Sequence, residues 1–157
     1  MKRILEKISL LLATGLGLGY MPVASGTFGT LLGIPIAAAL AGLPLPFAAL
    51  LAILLPAVAI PICSHAERTF GRKDDGRIVA DEYLTFPLSV LGIPWLLHPW
   101  LLGVAFVAHR VLDIVKPAPA RQAQALPGGV GIVIDDVISS LYALAVNHAI
   151  VWVLKLA

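Results

Sequence analysis

Charge is scarce in this chain. Asp, Glu, Lys and Arg make up 13% of its 157 residues, about half of what soluble domains carry. Aromatic residues reach only 7%, and the net charge is +2. With neither a basic patch nor interleaved aromatics, there is nothing here for nucleic acid to bind. The single cysteine, Cys63, excludes an internal disulfide and any cysteine-based metal spacing. It reads as a small buried apolar residue. Nucleotide-loop chemistry is missing as well: no Gly-Lys-Thr or Gly-Lys-Ser occurs. "GLGLGYMP" has the glycines of a dinucleotide fingerprint but follows a helix-like segment, not a strand. Two covalent phosphatase routes also lack their residues. Position six after Cys63 is Thr69 rather than arginine, and no Asp-x-Asp is present.

What the chain has instead is apolar length. Hydrophobic residues make up 59%, against about 45–50% in soluble domains, and the mean hydropathy is +0.95. This predicts one integral membrane domain over residues 1–157. The N-terminus has the look of a signal peptide, but Glu6 and Lys7 interrupt it. We read an interfacial amphipathic helix with Ile4, Leu5, Ile8, Leu11 and Leu12 on one face.

Three apolar stretches follow: Thr27 to Cys63, Tyr83 to Ala108 and Val137 to Leu154. The first is too long for one span and carries "AGLPLP" at 41–46, a turn signal. The second carries "LHPW" at 97–100, where a residue before proline disfavours helix. Either it is one kinked span, or it is a hairpin. If both breaks are turns at the far side, one side collects Lys2, Arg3, Lys7, Arg68, Arg72, Lys73, Arg77, Arg110, Lys116 and Arg121. Only Lys155 lies opposite. That asymmetry favours the hairpin and makes the basic side cytoplasmic. Arms of about fifteen residues reach roughly 22 Å, short of the roughly 30 Å hydrocarbon layer. The expected fold is all-α, a membrane-embedded bundle of five to six helices with polar loops gathered on the cytoplasmic side. "PAPARQAQALPGGVG", 117–131, reads as one of those loops. Trp95, Trp100 and Trp152 read as interfacial anchors. His98 falls at the far turn, His65 and His109 at the interface, and His148 within the last helix.

The same side gathers the acids Asp74, Asp75, Asp81, Glu82, Asp113, Asp135 and Asp136. Carboxylates crowded at low dielectric repel one another. A hard divalent cation resolves this, and all-oxygen ligation without cysteine or a histidine cluster points to Mg²⁺ or Mn²⁺. Acids at helix starts also favour the helix dipole, which would account for Asp135 and Asp136 without any metal. Arg110, Asp113 and Lys116, each three apart, line one helical face. That is either a solvated ion-pair stripe or a phosphate site. "VASGTFGT" at 23–30, with Ser25 and Thr27, offers an N-cap and a seat for an anion. "GGVGIVIDD" at 128–136, with Gly129, lets backbone come close to a neighbour. Asn147 shares a helical face with Asp136 and Ser140.

Together, "LLATGLGLGYMPVASGTFGTLLGIP", "DDGRIVADE" and "HRVLDIVKPAPAR…GGVGIVIDD" resemble the phosphatidylglycerophosphatase A family over about residues 11 to 147. The resemblance implies an all-α, Mg²⁺-dependent lipid phosphatase of the bacterial inner membrane, its site facing the cytoplasm. Such an enzyme removes the terminal phosphate of phosphatidylglycerophosphate. The family's acidic motif falls on Asp74, Asp81 and Glu82. Its Arg–Asp–Lys–Pro segment falls on Arg110, Asp113, Lys116 and Pro117. Its glycine-and-acid motif falls on Gly128, Gly129, Gly131, Asp135 and Asp136. Ser25 stands where the family usually has proline, and His109 where it usually has an apolar aromatic. The implied roles are metal binding by Asp81, Glu82, Asp135 and Asp136, and phosphate binding by Arg110 and Lys116 with Ser25, Thr27 and Gly129 beside them. Asp113 or Asp74 would take a proton from water. A transporter would place acids near mid-bilayer. A membrane scaffold would need no metal. The Asp-Gly-x2-Ala-Arg run of the CDP-alcohol phosphotransferases is absent.

Overall fold

The structure, a computed structural model, describes residues 2–156. Its regular elements are seven α-helices and two short 3₁₀ turns, with no strand among the described residues. The helices are α1 (Lys2–Ala13), α2 (Ser25–Ala41), α3 (Leu45–Phe70), α4 (Ala80–Thr85), α5 (Trp100–Val115), α6 (Ala120–Ala123) and α7 (Gly128–Leu154). Two of them, α3 and α7, are long and apolar enough to cross a bilayer, with mean hydropathies of 2.4 and 1.8. At 1.5 Å per residue each is about 40 Å long.

The first apolar stretch divides where its Gly-Leu-Pro signal lies. α2 ends at Ala41, and Pro44 precedes α3 with extended backbone. α3 then runs past Cys63 to Phe70, carrying Pro56 and Pro61 inside it. Cys63 is fully buried. The second stretch folds back on itself, but its arms are unlike. The first arm is α4 followed by a 3₁₀ turn, Phe86–Val90, and every residue of both is buried. Pro87 lacks the N–H that a continuing α-helix needs. The chain reverses over 91–99, where Gly92 takes φ +70°, and returns as α5. The two reversals meet: Leu43 and Leu45 line one apolar cavity of about 420 Å³ with Leu91, Ile93 and Trp95.

Three expectations need correction. α7 begins at Gly128, nine residues before the apolar run suggested. Gly129 and Gly131 read as loop formers, yet here they permit contact. A Cβ on Gly129 would lie 2.1 Å from the Ile60 carbonyl of α3, and one on Gly131 would lie 2.2 Å from the Leu126 carbonyl. Close packing overrides glycine's poor helix propensity. Trp95 is no interfacial anchor: it is 8% exposed and packs with Phe86, Val90 and Leu101. His109 is not interfacial either, for it is fully buried. Trp100 and Trp152 are exposed, as are all five residues of the apolar face assigned to α1.

Candidate metal and phosphate site

Four helices converge at the end opposite that cavity. α4 contributes Asp81 and Glu82, the end of α5 gives His109, Arg110 and Asp113, and α7 gives Asp135 and Asp136. α2 closes the fourth side with glycines. A Cβ on Gly26 would lie 1.9 Å from Glu82 Oε1, and one on Gly29 would lie 2.5 Å from Oε2. The Gly-x-x-Gly spacing thus makes a bare face on which the Glu82 carboxylate rests. α4 is held in place by the Val79 N–H, which donates to the Ala13 carbonyl at 2.9 Å, and by the Thr85 hydroxyl, which donates to the Asp81 carbonyl at 2.7 Å.

Arg110 is the hub. Its Nη1 donates to Glu82 Oε1 at 2.9 Å, to Asp113 Oδ2 at 2.8 Å and to Thr30 Oγ1 at 3.4 Å. Lys116 closes α5 with a left-handed backbone, φ +49°. Its Nζ donates to Asp135 and stands 4.0 Å from Asp113 Oδ1. Burial lowers the Lys116 ammonium, and its bond to Asp135 more than offsets this, leaving it above its usual range.

Five buried carboxylates face these two cations: Asp81, Glu82, Asp113, Asp135 and Asp136. With every carboxyl ionised the formal negative excess is three. Asp113, Asp135 and Asp136 each offer an oxygen within 4.8 Å of the others. Asp81 Oδ1, Glu82 Oε2, Asp135 Oδ1 and Asp136 Oδ2 are buried with no hydrogen-bond partner among the described residues. Burial pushes the Asp81 carboxyl well up, and Glu82 beside it adds to the rise. Burial also raises Glu82, to about 8, against the pull of Arg110. A site that so disfavours its own negative charge lacks positive charge. The helix dipole does not supply it for Asp135 and Asp136. They lie about two turns into α7, whereas the dipole acts within the first turn. The free oxygens and the all-oxygen donor set fit a hard divalent cation.

Residues 11–151 match the family model for phosphatidylglycerophosphatase A. The chain belongs to this family. It is 38% identical over 157 residues to the phosphatidylglycerophosphatase A of Haemophilus influenzae, covering 93% of each chain. It is 31% identical over 141 residues to that of Escherichia coli K12, covering 89% of this chain and 81% of the relative. A Bacteroides thetaiotaomicron protein provisionally named a phosphatidylinositol-3-phosphatase is 34% identical over 157 residues, covering 94% of this chain and 96% of the relative. No solved structure matches the chain.

In this phosphatidylglycerophosphatase A family member, the acids assigned from sequence sort into distinct places. Asp81, Glu82, Asp113, Asp135 and Asp136 converge. Asp113, which the sequence reading kept as an alternative proton acceptor, shares the closest oxygen group with Asp135 and Asp136. Asp74 sits at the edge of this group on the 71–79 loop, accepting from the Gln124 side chain, and its charge adds to the rise of Asp81. Asp75 binds Arg77 Nε at 2.7 Å and Nη2 at 2.9 Å; Arg77's hydrogen bonds hold its carboxyl below the usual range. The Ser25 hydroxyl does not cap α2: it donates to the Gly76 carbonyl at 2.7 Å, and Ala24 holds the cap position without a side-chain bond. Thr27 is half-buried in the first turn of α2. The Gly129 N–H is taken by Ser64 Oγ at 2.8 Å.

Sequence reasoning put Asn147 and Ser140 on the helical face of Asp136 but missed that Ser89 and His109 join them in a layer beneath the acids. His109 Nδ1 lies 3.3 Å from Ser89 Oγ and 3.1 Å from Ser140 Oγ, and its ring meets Phe86 edge-on at 5.6 Å. Asn147 donates to the Ser89 carbonyl at 3.1 Å. The spacing was available: His109 precedes Asp113 by four, and Ser140 follows Asp136 by four. Thr30, Ser64 and Gln124 join the site through partners far away in sequence, so no local pattern marks them.

Proposed function

We propose that this protein hydrolyses phosphatidylglycerophosphate to phosphatidylglycerol and inorganic phosphate, with Mg²⁺ as cofactor. One observation carries the reading: five buried carboxylates, four with an unpaired oxygen, outnumber the two cations among them. Asp113, Asp135 and Asp136 would hold the ion, with Asp81 and Glu82 completing the acidic wall. When bound, the cation supplies Lewis acidity toward the phosphoryl group and makes water more acidic. The remaining steps belong to the chain. Lys116 and Arg110 offset charge that develops on the phosphoryl oxygens. Glu82 and Asp113 fix the guanidinium plane of Arg110. Buried Arg110 Nε has no partner among the described residues. Asp74, outside the closest oxygen group, accepts the proton of the attacking water.

The bilayer is the second half of the proposal. α3 and α7 cross the membrane, and α1 lies in the interface on its exposed apolar face. Outward leucines and isoleucines along α3, such as Leu50, Ile53 and Leu54, suit lipid better than water. The diacylglycerol part of the substrate stays in lipid while its headgroup reaches the acids. With both reversals at the far side, ten of the eleven basic residues would fall on the site's side, and that side would face the cytoplasm of a bacterial cell.

The test is phosphate release from phosphatidylglycerophosphate in detergent micelles, with Mg²⁺ or with EDTA. Release is expected with Mg²⁺ and not with EDTA. A folded, metal-supplied protein that releases nothing would overturn the activity. Release that persists in EDTA would overturn the cofactor.

A further inference from the structure

Beside the acids lies a second, open cleft of about 440 Å³, lined among others by Arg72, Arg77, Ser25, Tyr20 and Met21. We propose that it binds a second anionic group of the same lipid: the phosphodiester that joins the headgroup to diacylglycerol. This rests on the proposed lipid phosphatase reading and assigns a place to the part of the substrate that the acids do not hold.

Charge is the first argument. Arg72 is exposed and has no ion pair among the described residues. Arg77 is held rigidly, its Nε and Nη2 on Asp75 and its guanidinium 4.0 Å above the Phe70 ring. Nη1 is left uncommitted. Two arginines against one aspartate make this cleft positive, whereas the neighbouring site is negative. It attracts an anion without a metal.

Adjacency is the second. Ser25 lines the cleft, and the next residue, Gly26, is the one whose Cβ would strike Glu82 and Arg110. Asp75 lines it too, next to Asp74. Consecutive Cα atoms are 3.8 Å apart, so the cleft and the acidic site share bordering backbone at 25–26 and 74–75, where a headgroup carrying two phosphates would lie across the shared border. The cleft is also prebuilt. Ser25 Oγ ties the Gly76 carbonyl, and Gly19 presses so close that a Cβ would lie 2.0 Å from the Arg77 carbonyl.

The rim supplies the third argument. Leu16, Tyr20, Met21 and Val23 are exposed around the loop that forms one wall. An apolar rim beside a cationic wall matches the junction between a lipid's acyl chains and its phosphodiester. The cleft therefore selects lipids with a phosphodiester between the diacylglycerol and the terminal phosphate.

The experiment reads binding rather than turnover. The full-length protein in maltoside micelles with EDTA is titrated calorimetrically with dihexanoyl-phosphatidylglycerol, which has the diester and no monoester. Dihexanoylglycerol, with the same tails and no phosphate, is the control. The wild type should bind the phospholipid more tightly, and Arg72→Gln should weaken it about tenfold, the loss of one charge-assisted hydrogen bond. The control should not change. Arg72 is exposed and unpaired, so the variant should melt with the wild type. Equal affinity of the wild type for both ligands, or an advantage kept by Arg72→Gln, overturns the inference. So does inorganic phosphate binding lost in Arg72→Gln while lipid binding stays, which would make the cleft a free-anion site. A protein that binds the phospholipid through Arg72 yet releases no phosphate in the activity assay would sink the proposed activity and leave the cleft standing.

Discussion

Asp136 is 3% exposed, and one of its oxygens is unpaired. In the metal-free protein it opposes Asp113 and Asp135 across less than 4.8 Å. Asp136→Asn therefore has two effects of opposite sign. It relieves like-charge repulsion, so the variant should melt higher than the wild type in EDTA. It also removes a proposed ligand, so Mg²⁺-dependent phosphate release should fall about a hundredfold or more, the scale set by electrostatic groups at a reacting centre. Thermal scans with and without Mg²⁺, run beside the assay, separate the two. A variant that melts lower in EDTA would show the carboxylate stabilising the fold, against the repulsion argued here. Gly26 gives a second test. Alanine in place of glycine ordinarily stabilises a helix by up to about 1 kcal/mol. Here the new methyl would meet the Glu82 carboxylate at 1.9 Å, so Gly26→Ala should destabilise by about 1–3 kcal/mol. A raised melting temperature would mean that Glu82 moves aside freely.

At the scale of the element, α7 decides the site. Its first nine residues bring Asp135 and Asp136 between α4 and α5, and its glycines bring its backbone onto α3. Gly129→Ala would push a methyl to 2.1 Å from a backbone carbonyl that cannot rotate away. A loss of about 1–3 kcal/mol is expected from overpacking, read as a lower melting temperature. Because α7 carries both acids, Mg²⁺-dependent stabilisation should shrink with it. The same helix shows what was legible in the sequence. The acids and their basic partners could be named because carboxylates are rare in so apolar a chain. The start of α7 could not be placed, since Gly-Gly-x-Gly is the composition of a loop and only the approach of Ile60 and Ser64 makes it a helix. α4 and its 3₁₀ continuation failed to stand out for a related reason. A fully enclosed segment shows no amphipathic period, so Tyr83 to Ala108 read as one apolar run. The buried Ser89–His109–Ser140 cluster stayed hidden because its members come from three segments, and a lone histidine in an apolar stretch gives no sign of what surrounds it.

The molecule as a whole is polarised, and that polarity can be tested without any enzymology. Cys63 is fully buried, so it should stay silent to a membrane-impermeant maleimide in intact cells and in unpermeabilised vesicles. The chain is thus its own unreactive background, with its one cysteine enclosed. Arg121 on α6 and Lys155 after α7 are both exposed, and α7, about 40 Å long, separates them. If α7 crosses the bilayer with the acids toward the cytoplasm, Lys155→Cys should label from outside intact spheroplasts and Arg121→Cys only after permeabilisation. The reverse pattern would keep the span but turn the site outward, where the basic residues gathered around it would break the charge asymmetry that membrane proteins follow. Labelling of both from one side would mean that α7 does not cross. The exposed apolar faces of α1, α3 and α7 would then need a protein partner rather than lipid.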